Sequence, residues 1–373
     1  MTGFIQISER INIAVIIARY ISKKGVPAPF WRLIVFNREF YLAELGTSVA
    51  ENVAVVGRES RRPRVVHVRL FGDRLFNLVT LVLGTLILLL LLGLGVALLL
   101  DALPAIRKFG WSFLVSTDWD PVNDVYGALP FIWGTAVSSA IALTIAVPLS
   151  LGVALCLSEM APEWLSRRLG FLVDLLAAIP SVVYGLWAIF ILGPWIRDYV
   201  EHLLGTYLGF LPIFAGPKVA VGMFSAGVVL AIMVIPYISS VCTDVFRVVP
   251  QTQREAAIAL GATKWEMVRM AVLPYGLSGI IGATILGLGR ALGETIAVAM
   301  VIGNAPNISL SLFAPAATLA SVIANEFAEA TSDLYVSALI ALGLVLLGLG
   351  IVLNVVARLL VAAVARRRFD TGR

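Results

Sequence analysis

The chain has 373 residues, 60% of them hydrophobic and 14% charged, and a mean hydropathy of +0.95. This balance excludes a soluble globular protein, because the apolar residues come in runs of about 20, long enough to cross a bilayer as helix. The net charge of +5 and pI near 9.4 do not point to nucleic acid, since the basic residues gather in particular loops and not along one amphipathic face, the pattern that sets membrane orientation.

The first 70 residues mix charges, Gly, Pro and scattered apolar residues. Their best apolar piece, INIAVIIARYI, is too short to span and carries Arg19. Ser8, Glu9 and Arg10 ahead of it are not the start of a typical cleavable signal, and no small-residue cleavage site follows. The expectation is a poorly packed cytoplasmic extension; a translation start assigned too far upstream gives the same pattern.

Six apolar stretches follow, at 75–100, 131–157, 169–194, 219–241, 277–302 and 334–364. The first is about 39 Å long as a helix and spans with tilt. Six crossings put both termini on one side. Arg and Lys are sparse in the loops after the first, third and fifth stretches and concentrated at Arg61, Arg62, Arg64, Arg69 and Arg74, at Arg167 and Arg168, at Arg247, Arg254, Lys264 and Arg269, and at Arg366, Arg367 and Arg368. Both termini are therefore expected in the cytoplasm. Pro180 and Pro236 fall within apolar stretches and are candidate kinks. Asp174 lies near the cytoplasmic end of its stretch, within reach of water. WDPVNDVYG, 119–127, offers Trp, Tyr and turn residues on the opposite side, either to a docking partner or to a membrane-interface belt.

Few residues suggest catalysis. Cys156 and Cys242 read as buried thiols without disulfide or metal, and no CxxC or Cys/His cluster accompanies them. His67 and His202 fall in loops away from any acidic cluster. No GxxxxGK[ST] phosphate loop occurs, so ATP binding by that route is not expected of this chain.

Between the fourth and fifth stretches, DVFRVVPQTQREAAIALGATKWEMVRMAVLP (244–274) is too regular for a connector. TQREAAIAL is rich in helix formers and stops at Gly261; KWEMVRMAV restarts and runs to Pro274. An amphipathic hairpin on the membrane surface explains that much. The spacing adds Glu255, Ala256 and Ala257, three residues, Gly261, nine residues, Ala271, one residue, then Leu273 and Pro274. This resembles the EAA signature of ABC importer permeases, EAA-x3-G-x9-I-x-LP, with Ala271 where the usual residue is Ile. A coupling element seated in a groove of another protein needs small residues and a sharp turn, which Ala256, Ala257 and Gly261 supply; a charge to fix register falls to Glu255.

GLGRALGET, 287–295, places Arg290 and Glu294 inside the fifth apolar stretch. A central charge in a bilayer costs about 2.5–3.5 kcal/mol on insertion scales, so each must face protein or water. At i, i+4 on one helical face they form an ion pair, or Arg290 serves a crossing anion while Glu294 steadies it; the guanidinium fork suits phosphate oxygens. Gly289 and Gly293 form a GxxxG pair inviting a close helix crossing, and Thr295 adds a hydroxyl. The glycines fall at GxGxxxG within an apolar helix, which is no dinucleotide fingerprint.

GLGRALGETIAVAMVIGN, together with AAIPSVVYGLW (177–187), PVNDVYGALPFIWGT (121–135) and ANEFAEA (324–330), resembles the PstC family of phosphate-specific ABC transporter permeases over roughly 72–368. The resemblance implies an all-α integral membrane protein, with six transmembrane helices in a type I ABC importer (MetI-like) permease core and a cytoplasmic coupling helix. It divides the chain into an extension at 1–70, a first helix with its periplasmic loop at 71–130, the core at 131–365 and a basic tail at 366–373. It implies a PstA-like permease as partner, two ATPase subunits that carry ATP and Mg, a periplasmic phosphate-binding protein, inorganic phosphate as substrate, membrane lipid around it and no cofactor on this chain. By matching position, Arg290 and Glu294 take the family's membrane-charge role, and Glu255, Ala256, Ala257 and Gly261 the coupling role. Import of sulfate or molybdate by the same mechanism is the nearest alternative; a proton-coupled secondary transporter relaying through Glu294 leaves the EAA spacing unexplained.

Overall fold

The computed structural model describes residues 71–370; the expectations for 1–70, including His67, lie outside the described residues. The described chain is helical throughout, with only two isolated bridges, Asp120 to Val125 and Gly303 to Ala316. Five helical segments are long and apolar enough to cross a membrane, and a bent pair brings the number to six. The chain divides into two units at Leu78. Of the first, only the opening turns of helix α1 (Phe71–Phe109) are described.

In the second unit, α2 (Leu129–Leu155) leads through a π-helical turn, Cys156–Met160, to α3 (Glu163–Ala177). Next come α4 (Ser181–Trp187), continued by further turns to Tyr207, and α5 (Met223–Arg247). Then follow α6 (Gln251–Ala259), α7 (Leu273–Gly293), α8 (Ile296–Val301), α9 (Leu319–Glu326) and α10 (Asp333–Asp370).

Helix α5 is the hub. Its Met223, Ala226, Val229, Leu230, Val234 and Ile238 are all buried, and α2 and α7 pack along it. Small residues allow the close approach: a Cβ at Gly227 would meet the Ile141 side chain of α2, and one at Gly287 would meet Ile238 and Val234 of α5. Pro236 lies inside the unbroken α5. A second core gathers at the other end of α10, where Phe113, Tyr126, Phe131 and Tyr335 are buried with Leu339 and Leu342. Here α1 is tied down: the Ala105 amide donates to Ser337 Oγ at 3.1 Å, and that hydroxyl donates to the Asp101 carbonyl at 2.8 Å. From Leu81 to Leu92 the large apolar side chains of α1 are exposed, as on a lipid-facing or partner-facing helix.

Two expected crossings are broken. The stretch 169–194 does not run straight, because α3 and α4 meet at 88°. Pro180 has no amide to donate, and it holds the residue before it away from helical geometry. The stretch 277–302 stops at Gly293, where Glu294 turns extended with ψ 124°. Thr295 Oγ1 donates to the freed Gly293 carbonyl at 3.1 Å. The stretches 75–100 and 334–364 lie within α1 and α10, which overrun them, 131–157 covers most of α2 and the start of the π-helical turn, and 219–241 begins just ahead of α5.

Candidate functional site: a membrane arginine and the loop below it

The loop joining α5 to α7 is built as the sequence suggests, from local signals. Helix α6 closes in a Schellman arrangement, with the Ala262 amide donating to the Ala257 carbonyl at 3.2 Å and the Gly261 amide to the Ile258 carbonyl at 2.9 Å. Gly261 makes that turn at φ +86°, which side chains rarely adopt. The next helical segment restarts at Thr263, whose hydroxyl accepts from the Glu266 amide while the Glu266 carboxylate accepts from the Thr263 amide, a reciprocal capping box.

Within α6 only Ala257 is buried; Glu255 and Ala256 are exposed. Ile258, Leu260 and Trp265 are also exposed, with Leu260 90% accessible. Ala271 is half-buried, in the π-helical turn leading into α7. The loop therefore holds itself to the body of the chain by Ala257, Met267 and Val268 and presents charged, small and apolar side chains outward.

The strongest tie was not singled out by sequence reasoning. Arg254 donates to both carboxylate oxygens of Glu159, from Nη2 at 2.7 Å and from Nε at 3.2 Å. It also donates to the carbonyls of Phe246, at 2.7 Å, and Val249. Both partners are nearly buried, at 11% and 7% side-chain exposure. One side chain thus joins α6 to the end of α2 and satisfies carbonyls at the C-terminus of α5, where a cation is also favoured by the helix dipole. The available signal was Glu159 itself, a lone acid at the edge of an apolar run, needing a cation partner.

In the membrane region, Arg290 and Glu294 do come together, but not on one helical face, because α7 has ended before Glu294. Arg290 Nη2 stands 3.9 Å from Glu294 Oε2, beyond hydrogen-bond length. Glu294 is 9% exposed and Arg290 36%. Arg290 Nε is buried and makes no hydrogen bond among the described residues. Its guanidinium carbon lies 4.5 Å from the ring centre of Tyr237 on α5, a residue the sequence reading passed over. Thr295 turns its hydroxyl back to the backbone. The close crossing expected at Gly289 and Gly293 occurs at Gly287 instead: a Cβ at either expected position would meet nothing within 4 Å. In this chain, Gly289 and Gly293 border an open apolar groove with Gly343 and Gly350 of α10.

Two smaller expectations are corrected. Cys242 is buried as expected, but Cys156 is exposed, because it falls on the outer side of the turn after α2. In 119–127, Trp119 and Tyr126 point inward and not toward a partner: Trp119 packs against Tyr126, Phe131 and Tyr335, and its Nε1 donates to Glu326 at 2.9 Å. The exposed residues of the segment are Val122, Asn123 and Val125. Asp174 is exposed and accepts from Ser240 Oγ at 3.3 Å; His202 is exposed beside Lys218 Nζ, at 3.4 Å. Among the described residues no group of His, Cys, Asp and Glu is arranged to hold a metal.

Residues 146–368 match the family described as binding-protein-dependent transport system inner membrane component. The chain is 44% identical over 313 residues to the phosphate transport system permease protein PstC of Mesorhizobium japonicum, covering 82% of this chain and 96% of that protein. It is 46% identical to PstC of Xylella fastidiosa, covering 79% of this chain and 92% of the relative. To PstC of Haemophilus influenzae it is 44% identical, covering 78% and 93% respectively. A member of this family is a multi-pass permease component of the inner membrane and not an enzyme. The chain belongs to the binding-protein-dependent transport system inner membrane component family, within its PstC group.

Proposed function

We propose that this chain is the permease subunit of an ATP-driven importer that carries inorganic phosphate across the cytoplasmic membrane from a periplasmic binding protein. The observation that carries the reading is Arg290: a permanently charged fork placed between helices, with Glu294 3.9 Å away and its Nε unpartnered among the described residues. Such a site attracts an oxyanion without neutralising it beforehand, and Glu294 keeps the net charge low enough for the anion to leave. Thr295 closes the chain break beside them. The naming of the relatives as phosphate transport permeases supports phosphate over sulfate or molybdate.

The loop around 251–272 is the ATPase coupling element. Glu255 and Ala256 face outward with Ile258, Leu260 and Trp265, which together offer a charge for register and an apolar surface for a groove. Ala257 and Gly261 shape the turn. Movement received there passes through Arg254 to α2 and α5. In this reading the ATP and Mg sit on two separate ATPase subunits. A PstA-like permease completes the pathway and covers the groove at Gly289 and Gly293. Both termini are cytoplasmic, with 131–365 as the permease core and 366–373 as a cytoplasmic basic tail.

The test is reconstitution with the partner permease, ATPase and binding protein in proteoliposomes, reading labelled phosphate uptake, ATP hydrolysis and assembly. Arg290→Gln and Glu294→Gln are each expected to assemble and hydrolyse ATP while losing most uptake, and excess sulfate or molybdate to leave uptake unchanged. Assembly failure in both variants would make the pair structural; competition by sulfate or molybdate would change the substrate.

A further inference from the structure

Two breaks interrupt the membrane helices, one between α3 and α4 and one between α7 and α8, and both adjoin a single side chain. Helix α3 ends with carbonyls that Pro180 cannot help to satisfy. The Tyr237 hydroxyl, 60 residues away in sequence, donates to the Ala177 carbonyl at 3.1 Å. The Tyr184 hydroxyl, from the far side of the bend, donates to the Leu176 carbonyl at 2.9 Å. The bend is therefore held by two phenols, one of them fixed to the hub helix α5. On the downstream side, α4 lies against α8: a Cβ at Gly185 would meet Met300 Sδ and the Ala297 Cα. The segment after one break thus packs on the segment after the other.

The ring of Tyr237 is also the surface on which Arg290 rests, at 4.5 Å. Among the described residues Arg290 Nε has no hydrogen-bond partner, and Glu294 stands 3.9 Å away. What orients the guanidinium is consequently the aromatic face. A guanidinium laid on a ring keeps its N–H donors in the ring plane's direction and free for an in-plane acceptor, which a salt bridge would have consumed.

We infer that Tyr237 is a positioning residue for transport: its ring seats Arg290, and its hydroxyl ties that seat to the α3–α4 bend, so the direction of the guanidinium follows the bend. The inference rests on Arg290 lying in the anion path. When the bend opens or tightens, the Ala177 carbonyl carries the phenol with it, and the arginine is turned toward or away from the space between helices.

The experiment compares Tyr237→Leu, which removes the ring, with Tyr237→Phe, which keeps it, in the assembled transporter. Two readouts are taken: phosphate uptake, resolved into KM and maximal rate, and the rate at which phenylglyoxal labels Arg290, followed by mass spectrometry of the peptide. For Tyr237→Leu the expectation is labelling faster by about tenfold, the scale of a partly desolvated cation–π contact, with a matching fall in maximal uptake, unchanged binding-protein docking and no additional loss when Arg290→Gln is added. Tyr237→Phe should keep labelling slow, because the ring remains, while maximal uptake falls, because the tie to the Ala177 carbonyl is lost; full uptake by Tyr237→Phe overturns the tie to the bend. If Tyr237→Leu does not assemble, Tyr237→Met takes the same comparison. Labelling that is unchanged without the ring overturns the inference. Faster labelling combined with full uptake by Arg290→Gln leaves the seat standing and sinks the path reading on which its transport role depends.

Discussion

Arg254 of α6 clasps both carboxylate oxygens of Glu159, 95 residues earlier in the chain, at 2.7 and 3.2 Å. The contact is nearly buried on both sides, and it brings the outer loop, the end of α2 and the end of α5 to one point. Removing one partner leaves an uncompensated charge and strips Phe246 and Val249 of a donor. Arg254→Ala should therefore cost about 3–5 kcal/mol, seen as a fall in the thermal midpoint of the detergent-solubilised complex. Arg254→Lys should recover only part of this, because an ammonium cannot span the carboxylate and two carbonyls together. ATP hydrolysis without matching uptake is expected in whichever variant still assembles. Wild-type stability in Arg254→Ala would remove the strap from the mechanism.

Two glycines on α2 separate crowding from flexibility. A Cβ at Gly134 would strike the Ala317 backbone carbonyl, which no rotamer change can move, whereas one at Gly152 would meet nothing within 4 Å. The neighbouring Thr135 hydroxyl accepts from the Leu319 amide at 2.9 Å, so this crossing is fixed. Gly134→Ala should cost about 1–3 kcal/mol or prevent accumulation altogether. Gly152→Ala, in mid-helix, should be neutral or stabilising by up to about 1 kcal/mol. Purified yield and thermal midpoint of the two variants, side by side, check this; equal behaviour would mean that α2 and the 316–319 segment do not pack as described.

How much of this was legible in the sequence follows from where the controlling contacts lie. The α6 loop was readable because its signals are local: helix formers up to Ala259, Gly261 at positive φ, and a restart directly after it. The apolar stretches identified the crossings, since hydropathy needs no tertiary information. The break near Pro180 was legible as a candidate kink, though not its 88° size; the break at Glu294 was not legible, because hydropathy runs through it. Each depends on a hydroxyl that takes the freed carbonyl, Tyr237 in one case and Thr295 in the other. The i, i+4 pairing of Arg290 and Glu294 was legible and forms at 3.9 Å; its looseness was not, because the reading assumed a helix that stops at Gly293. Arg254 and Tyr237 were missed because their partners are distant in sequence. The aromatics of 119–127 were assigned to the surface by their polar neighbours, and Glu326 draws them inward.

Glu326 accepts from Trp119 Nε1 at 2.9 Å and from the Tyr335 hydroxyl at 2.6 Å, closing the second core over α10. Trp119→Phe keeps much of the ring packing and loses the charged hydrogen bond, for an expected cost of about 1.5 kcal/mol. Trp119→Ala also removes the contacts to Tyr126, Phe131 and Tyr335 and should cost about 3 kcal/mol or more. Limited proteolysis of the 110–128 loop, together with the thermal midpoint, should rank wild type, Phe and Ala in that order. A ranking in which Ala equals Phe would mean the ring packing contributes little and the hydrogen bond carries the loop.

The tip of that loop should respond to acid in a defined direction. Asp120 accepts from Asn123 Nδ2 at 2.6 Å and from the Val122 and Asn123 amides at 2.9 and 3.3 Å. These donors, the Asn123 side chain first, favour the ionised carboxylate and hold its pKa below the ordinary value. A carboxylate depressed in the folded state contributes its full stabilisation above the unfolded pKa, near 3.9, and loses it as pH falls through the folded value. Protection of the Val122 and Asn123 amides from hydrogen exchange, corrected for intrinsic rates, should therefore stay level from pH 8 to about 5 and decline only below about pH 4. Asp120→Asn should show the low-pH exchange rate at every pH, since a neutral amide is the weaker acceptor for three donors. A decline already present between pH 7 and 6 would place the titrating group elsewhere than Asp120.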